Sequence, residues 1–250
     1  MLIGLLALGS IYAYITRNLF IGRPLIVGAV FSLLPAFYLC FRRKKNWNKI
    51  IVSVIVFGGI FGFLCDFYSE YTKAWHVVPL VIPYRILGVS SLDDILGFMM
   101  MTFLTVVFYE HFVEHERNKH ISKNLDKAIL PGIFAIIVLL LIYFLNPNLL
   151  QLQYPYFYMG IAAILPALFL AYNKPQFIKN MAETAIYFFF FYLIFEIFAV
   201  SYGYWIYPSN SYIGWINLLW IRFPFEELFF WMMFYAASLV SYYELFVDEY

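Results

Sequence analysis

The chain has 250 residues and a formal net charge of +1, with 64% hydrophobic, 23% aromatic and only 12% charged residues. A soluble globular domain carries about twice that share of charge, so this class is excluded and a polytopic membrane protein is expected. Basic residues sit in short clusters with no single stripe, which gives no footprint for nucleic acid, and Cys40 and Cys65 lie in apolar runs without metal or redox spacing.

Eight apolar runs follow in chain order, at roughly 2–16, 24–41, 50–66, 91–113, 128–146, 155–172, 182–201 and 223–247, and each is expected to be a helix because backbone in lipid must satisfy its own hydrogen bonds. The first run is apolar from Met1 and lacks a basic n-region and a small-residue cleavage pattern, so it reads as a retained helix. It and the third run are short for a full crossing. Loop 42–49 holds Arg42, Arg43, Lys44, Lys45 and Lys49, and loop 114–127 holds Arg117, Lys119, Lys123 and Lys127. With Lys174 and Lys179 these put eleven basic residues on one side, against five (Arg17, Arg23, Lys73, Arg85 and Arg222) on the other. The positive-inside bias then predicts a multi-pass protein of the cell membrane with both termini in the cytoplasm.

Against this background two acidic pairs stand out. Asp93-Asp94 and Glu226-Glu227 each head a long apolar run, 133 positions apart. A charge at the bilayer centre costs about 3 kcal/mol on insertion scales, so retained carboxylates are functional candidates. The pairs belong to an internal repeat. An offset of 130 aligns Asp66 with Glu196 and Trp75 with Trp205, giving acid-x8-Trp twice. Three residues of drift then bring Asp93-Asp94 onto Glu226-Glu227, Phe98 onto Trp231 and Met99-Met100 onto Met232-Met233. The expected architecture is all-α and transmembrane, about eight helices arranged as two parallel four-helix repeats, 1–122 and 123–250, with the two acidic stations across a common cavity. Adjacent helical residues point about 100° apart, so one acid of each pair can face that cavity while its neighbour hydrogen-bonds elsewhere. Pro224 suits a helix first turn, and a plainer reading makes the acids water-facing helix caps.

Pro224-Phe-Glu226-Glu227-Leu-Phe-Phe230, preceded by acid-x8-Trp and present in two degenerate copies, resembles the integral-membrane lycopene cyclase family, here as the fused tandem form. The first copy, Ser91-Leu-Asp93-Asp94-Ile-Leu-Gly-Phe98, lacks the proline and carries Asp for Glu. The resemblance implies lycopene β-cyclase activity: protonation of a ψ-end group at C2, attack of the C1 cation by the C5=C6 double bond, and loss of a proton from C6. It implies Glu226 or Glu227 as the acid, with Asp93 or Asp94 and Glu196 or Asp66 as stabiliser and base. A carboxylic acid kept from water can hold its proton and donate it, and a neighbouring carboxylate can receive one. Trp75, Trp205, Trp231, Phe98 and Phe230 are the implied substrate-binding aromatics, whose faces stabilise a tertiary cation; for any single aromatic in so aromatic a chain, lipid-facing or interfacial packing is the competing expectation. No cofactor and no metal are expected. The implied partners are a lipophilic carotenoid, the bilayer, and a second copy of the chain or other carotenoid enzymes.

Three rival functions are an intramembrane prenyltransferase, a Glu-Glu intramembrane protease and a carotenoid-binding scaffold without turnover. The first needs acids three to four residues apart, which the two pairs lack, and the second wants an Arg where Trp231 stands. His111-Phe-Val-Glu114-His115 matches an inverted zinc-protease string but is expected to be a solvated helix end. His76 and His120 read as interfacial, and Arg85 and Arg222 as structural partners of carboxylates. No glycine-rich dinucleotide turn is present, which gives no support to a flavin-dependent cyclase.

Overall fold

The computed structural model describes residues 2–19, 22–42, 46–78, 80–115 and 120–248. Arg43, Lys44, Lys45, Arg117 and Lys119, which carry much of the loop-charge argument, lie outside the described residues. Within them eight helices run in order: α1 (Leu2–Thr16), α2 (Pro24–Arg42), α3 (Trp47–Thr72), α4 (Leu92–Glu114), α5 (Lys123–Leu145), α6 (Pro155–Asn173), α7 (Phe177–Ser201) and α8 (225–246). The chain is 74% helical and therefore all-α, and α2 to α7 are long and apolar enough to cross a membrane. Their outward faces, such as Leu130, Phe134, Leu141 and Phe144 on α5, are exposed and apolar, as a lipid-embedded surface requires.

The third helix is longer than its apolar run. It continues through polar Ser69, Glu70 and Thr72 because neighbouring elements cover that end: Asp66, Ser69 and Thr72 are all buried. It stops at Lys73, which takes a left-handed φ of 59°, while the Ala74 amide donates back to the Ser69 carbonyl at 2.8 Å. Helix α7 stops in the same way, with Gly203 at φ 66° and the Tyr204 amide on the Ala199 carbonyl at 2.8 Å.

Short strands link the helices at this end. β1 (His76–Val77) pairs antiparallel with β4 (Trp205–Ile206), His76 opposite Ile206. β2 (Arg85–Ile86) and β3 (Ser90–Ser91) form a hairpin leading into α4, and β5 (Trp215–Leu218) and β6 (Ile221–Pro224) form one leading into α8. Pro224 therefore closes a strand, opposite Trp215, and does not occupy the helical turn expected for it. Its missing N–H and fixed φ are tolerated where a strand ends and a helix begins.

Among the described residues three π-helical stretches occur: Val54–Phe61 and Glu227–Phe234 interrupt α3 and α8, and Glu110–Glu114 ends α4. Each widens the turn and re-aims the side chains that follow it. The first passes directly over α4: a Cβ on Gly58 would lie 2.6 Å from the Met99 Cα, so the two backbones touch there. Gly58→Ala is expected to push these helices apart at a cost of about 1–3 kcal/mol, read as a lower melting temperature in detergent.

The far ends of α3, α4 and α8 carry a second polar region. Lys49 is fully buried within α3, and so is not the loop cation expected for it. Its Nζ contacts Glu110 Oε1 at 3.3 Å and Asp248 Oδ1, while the Tyr243 hydroxyl donates to Glu110 and the Tyr109 hydroxyl to Glu244. The His111–His115 string runs into this region, and the expectation of a solvated helix end fails for its first His and its Glu: His111 and Glu114 are buried, while Phe112 and His115 are exposed. The reason is tertiary, since Lys49 of α3, helix α7 and Asp248 lie against that turn of α4.

Candidate functional site

The acidic pairs sit where the hairpins feed into α4 and α8, and the helical 100° step separates the two members of each pair. Asp93 turns toward the preceding loop, where its carboxylate accepts the Val81 and Ile82 amides at 2.5 and 3.0 Å. Glu226 does the same with the Ile213 amide at 2.7 Å. Asp94 and Glu227 are left to face inward, and both line one cavity.

That cavity has about 1020 Å³ of empty space, counted out to its mouth. Its wall brings together Asp93, Asp94, Glu196 and Glu227 with Trp75, Trp205, Trp231 and Phe98, and Gly28 and Ser32 of α2 close one side. Three of the expected site residues lie behind this wall. Asp66 is buried beneath Asp94, Glu226 is engaged with its loop, and Phe230 packs against Gly160, where a Cβ would come within 2.2 Å of its ring. Trp75, Phe98, Trp231 and Tyr156 form a connected aromatic cluster, with Trp75 and Trp231 centroids 5.6 Å apart and nearly perpendicular. These rings point inward, contrary to the lipid-facing expectation for an average aromatic here.

The two carboxylate stations differ in their partners. Glu196 Oε1 accepts the Tyr207 hydroxyl at 2.7 Å and the Trp205 indole N–H at 3.3 Å. Glu227 accepts the Tyr156 hydroxyl, and the Tyr207 hydroxyl lies against it as well. Burial, with the Glu196 and Glu227 carboxylates close by, pushes the Tyr207 phenol up, so it stays a proton donor. Acid-x8-Trp thus has a local meaning in the second half: it spans the turn that returns Trp205 to the acid one helical end earlier.

In the first station Asp66 Oδ2 accepts the Ser90 hydroxyl at 2.5 Å and the Ser91 amide at 2.8 Å. Asp66, Glu70 and Asp94 each place one oxygen within 4.8 Å of the others. Glu70 accepts His76 Nδ1 at 2.7 Å and the Val77 amide at 3.1 Å, and is ion-paired to Arg85 at 2.9 Å. Arg85 is therefore a structural partner of a carboxylate, as expected, but Arg222 lies over the Trp215 ring, 4.3 Å from its centroid. Glu70, Tyr156 and Tyr207 are site residues that the sequence reading missed. Glu70 carried a signal, one helical turn after Asp66; the tyrosines, among twenty-two in the chain, carried none.

No family model, curated protein or solved structure matches this chain.

Proposed function

We propose that the chain is an integral-membrane lycopene β-cyclase of the fused tandem type, acting on a carotenoid that enters from lipid. The observation that supports this best is the convergence of Glu227, Glu196 and Asp94 with three tryptophans on one apolar cavity of a membrane-embedded bundle. In this reading Glu227 gives its proton to C2 of the ψ-end group. The C5=C6 double bond attacks the C1 cation, the new ring closes with the charge at C5, and a proton leaves C6, so the formula is unchanged. Glu196 receives that proton, and the Tyr207 hydroxyl, which touches both glutamates, offers the path back to Glu227. The faces of Trp75, Trp205 and Trp231 stabilise the intermediate cations. Asp94, with Asp93 beside it on the preceding loop's amides, supplies the other carboxylates of the cavity wall.

The same proposal includes two parallel four-helix repeats, 1–122 and 123–250, both termini cytoplasmic, and assembly with a second copy or with other carotenoid enzymes. The repeats are supported by paired features 130 positions apart: the left-handed caps Lys73 and Gly203, and the strand partners His76 and Ile206, which a twofold axis between β1 and β4 would pass through. Asp93 and Glu226 also hold equivalent loop amides.

Expression in a lycopene-accumulating host tests the activity. Cyclised pigment on chromatography is expected, with γ-carotene alone indicating attack at one end; unchanged lycopene with the protein in the membrane overturns the proposal. A second reading, magnesium-dependent chemistry on a prenyl diphosphate, is favoured by one observation. Asp66 and Glu70 have the four-residue acidic spacing absent from the two pairs, with Arg85 beside them. Magnesium-dependent turnover of a prenyl diphosphate by the purified protein would select it.

A further inference from the structure

We infer that Asp66, Glu70 and Asp94 form a binding site for one hard divalent cation of the magnesium or calcium class. All the ligand atoms are carboxylate oxygens, the donors such ions prefer. Their mutual separations, all within 4.8 Å, match the span of ligands around one ion, since opposite oxygens at about 2.4 Å from a calcium lie about 4.8 Å apart.

A cluster of acids can also be held together by neighbouring donors, and the protein has used donors here selectively. Ser90 and Ser91 engage Asp66 Oδ2, and His76, Val77 and Arg85 engage Glu70. Asp66 Oδ1 and Asp94 Oδ2 are buried and receive no N–H or hydroxyl donor among the described residues; the two carboxyl groups lie against each other, and Asp66 itself is wholly inaccessible. Leaving two anionic oxygens unsatisfied in a dry interior is costly. With Arg85 and His76 both on Glu70, the oxygens left over are those of Asp66 and Asp94, which either a divalent cation or a proton shared between them would satisfy; titration with a divalent ion separates the two.

The second station shows what a cation-free version looks like. The position corresponding to Glu70 is Val200, and Glu196 and Glu227 are supplied with phenol and indole donors by Tyr156, Trp205 and Tyr207. No such donor reaches Asp94 Oδ2. The two stations are therefore chemically distinct: one exchanges protons, and the other holds a metal that pins α3 to the start of α4 at the cavity wall.

The inference does not rest on the cyclase reading, because binding is measured without turnover. Full-length protein, purified in detergent and stripped with a chelator, is titrated with Mn²⁺ and followed by electron paramagnetic resonance, and its thermal unfolding is recorded with added Mg²⁺, Ca²⁺ or Mn²⁺. One Mn²⁺ per chain is expected, together with a melting temperature raised by roughly 5–10 °C at a hundredfold excess over Kd. Asp94→Asn and Glu70→Gln should each weaken Mn²⁺ binding at least tenfold, while Glu196→Gln should leave it intact. Asp66→Asn also breaks the Ser90 contact, so the stripped and reloaded wild type carries the decision. A folded wild type that binds no stoichiometric Mn²⁺ and melts identically with and without divalent ions overturns the inference, as does binding that survives both Asp94→Asn and Glu70→Gln.

Discussion

Glu227→Gln is expected to suppress ring formation by roughly a hundred- to ten-thousandfold, the range for removing a positioned general acid, while leaving the protein folded and in the membrane. The substitution keeps the size of the side chain and a carbonyl that can accept the Tyr156 hydroxyl, so the packing of α6 on α8 is preserved. What is lost is the proton that Glu227 would place on the substrate. Glu226→Gln provides the contrast: its amide carbonyl can still accept from the Ile213 N–H, and its side chain does not line the cavity, so pigment yield should change little. Chromatography of pigments from the two variants, with protein levels matched in isolated membranes, checks the pair. Equal loss in both, or retention in both, would show that the assignment of inward and loop-facing glutamates is wrong.

The largest effect on stability is expected at the opposite end of the bundle. Replacing Lys49 with Met removes the buried ammonium between Glu110 and Asp248 and leaves their carboxylates in a dry interior, at a cost of about 3–5 kcal/mol. Much of that cost is uncompensated charge, so adding Glu110→Gln to Lys49→Met should recover part of the lost melting temperature. A double-mutant cycle in detergent measures this, and a Lys49→Met protein melting like the wild type would show that the network contributes no net stability. The Lys49 site lies about 25 Å along α3 from Asp66, at 1.5 Å per residue, so its effect should fall on folding and leave the cavity chemistry unchanged in the protein that does fold.

The helices themselves were legible in the sequence, because length and apolarity are properties of contiguous residues and lipid leaves the backbone few alternatives. Their ends were less so. Apolar runs underestimated α3, whose polar last turn is covered by other parts of the chain, and α7, whose first turn carries the exposed Lys179, and the 223–247 run concealed the strand that ends at Pro224. Lys49 and His111 were misread for the same reason: a basic or polar residue beside an apolar run resembles a loop or a solvated end until the elements that bury it are known.

Of the candidate site, the sequence carried the acids and the tryptophans, since charge is rare in so apolar a chain and the acid-to-Trp spacing recurs. It determined that the chain is helical and suited to a membrane, and which rare carboxylates deserved scrutiny, because composition and periodicity are local quantities. Only the tertiary structure decided that Asp94 and Glu227 face the cavity while Asp93, at its wall, and Glu226, behind it, hold loops, and that Tyr156 and Tyr207 serve one station while Glu70 joins the other. Those choices depend on helix rotation, on π-helical turns and on contacts between residues far apart in the chain, none of which is written in any single stretch of sequence.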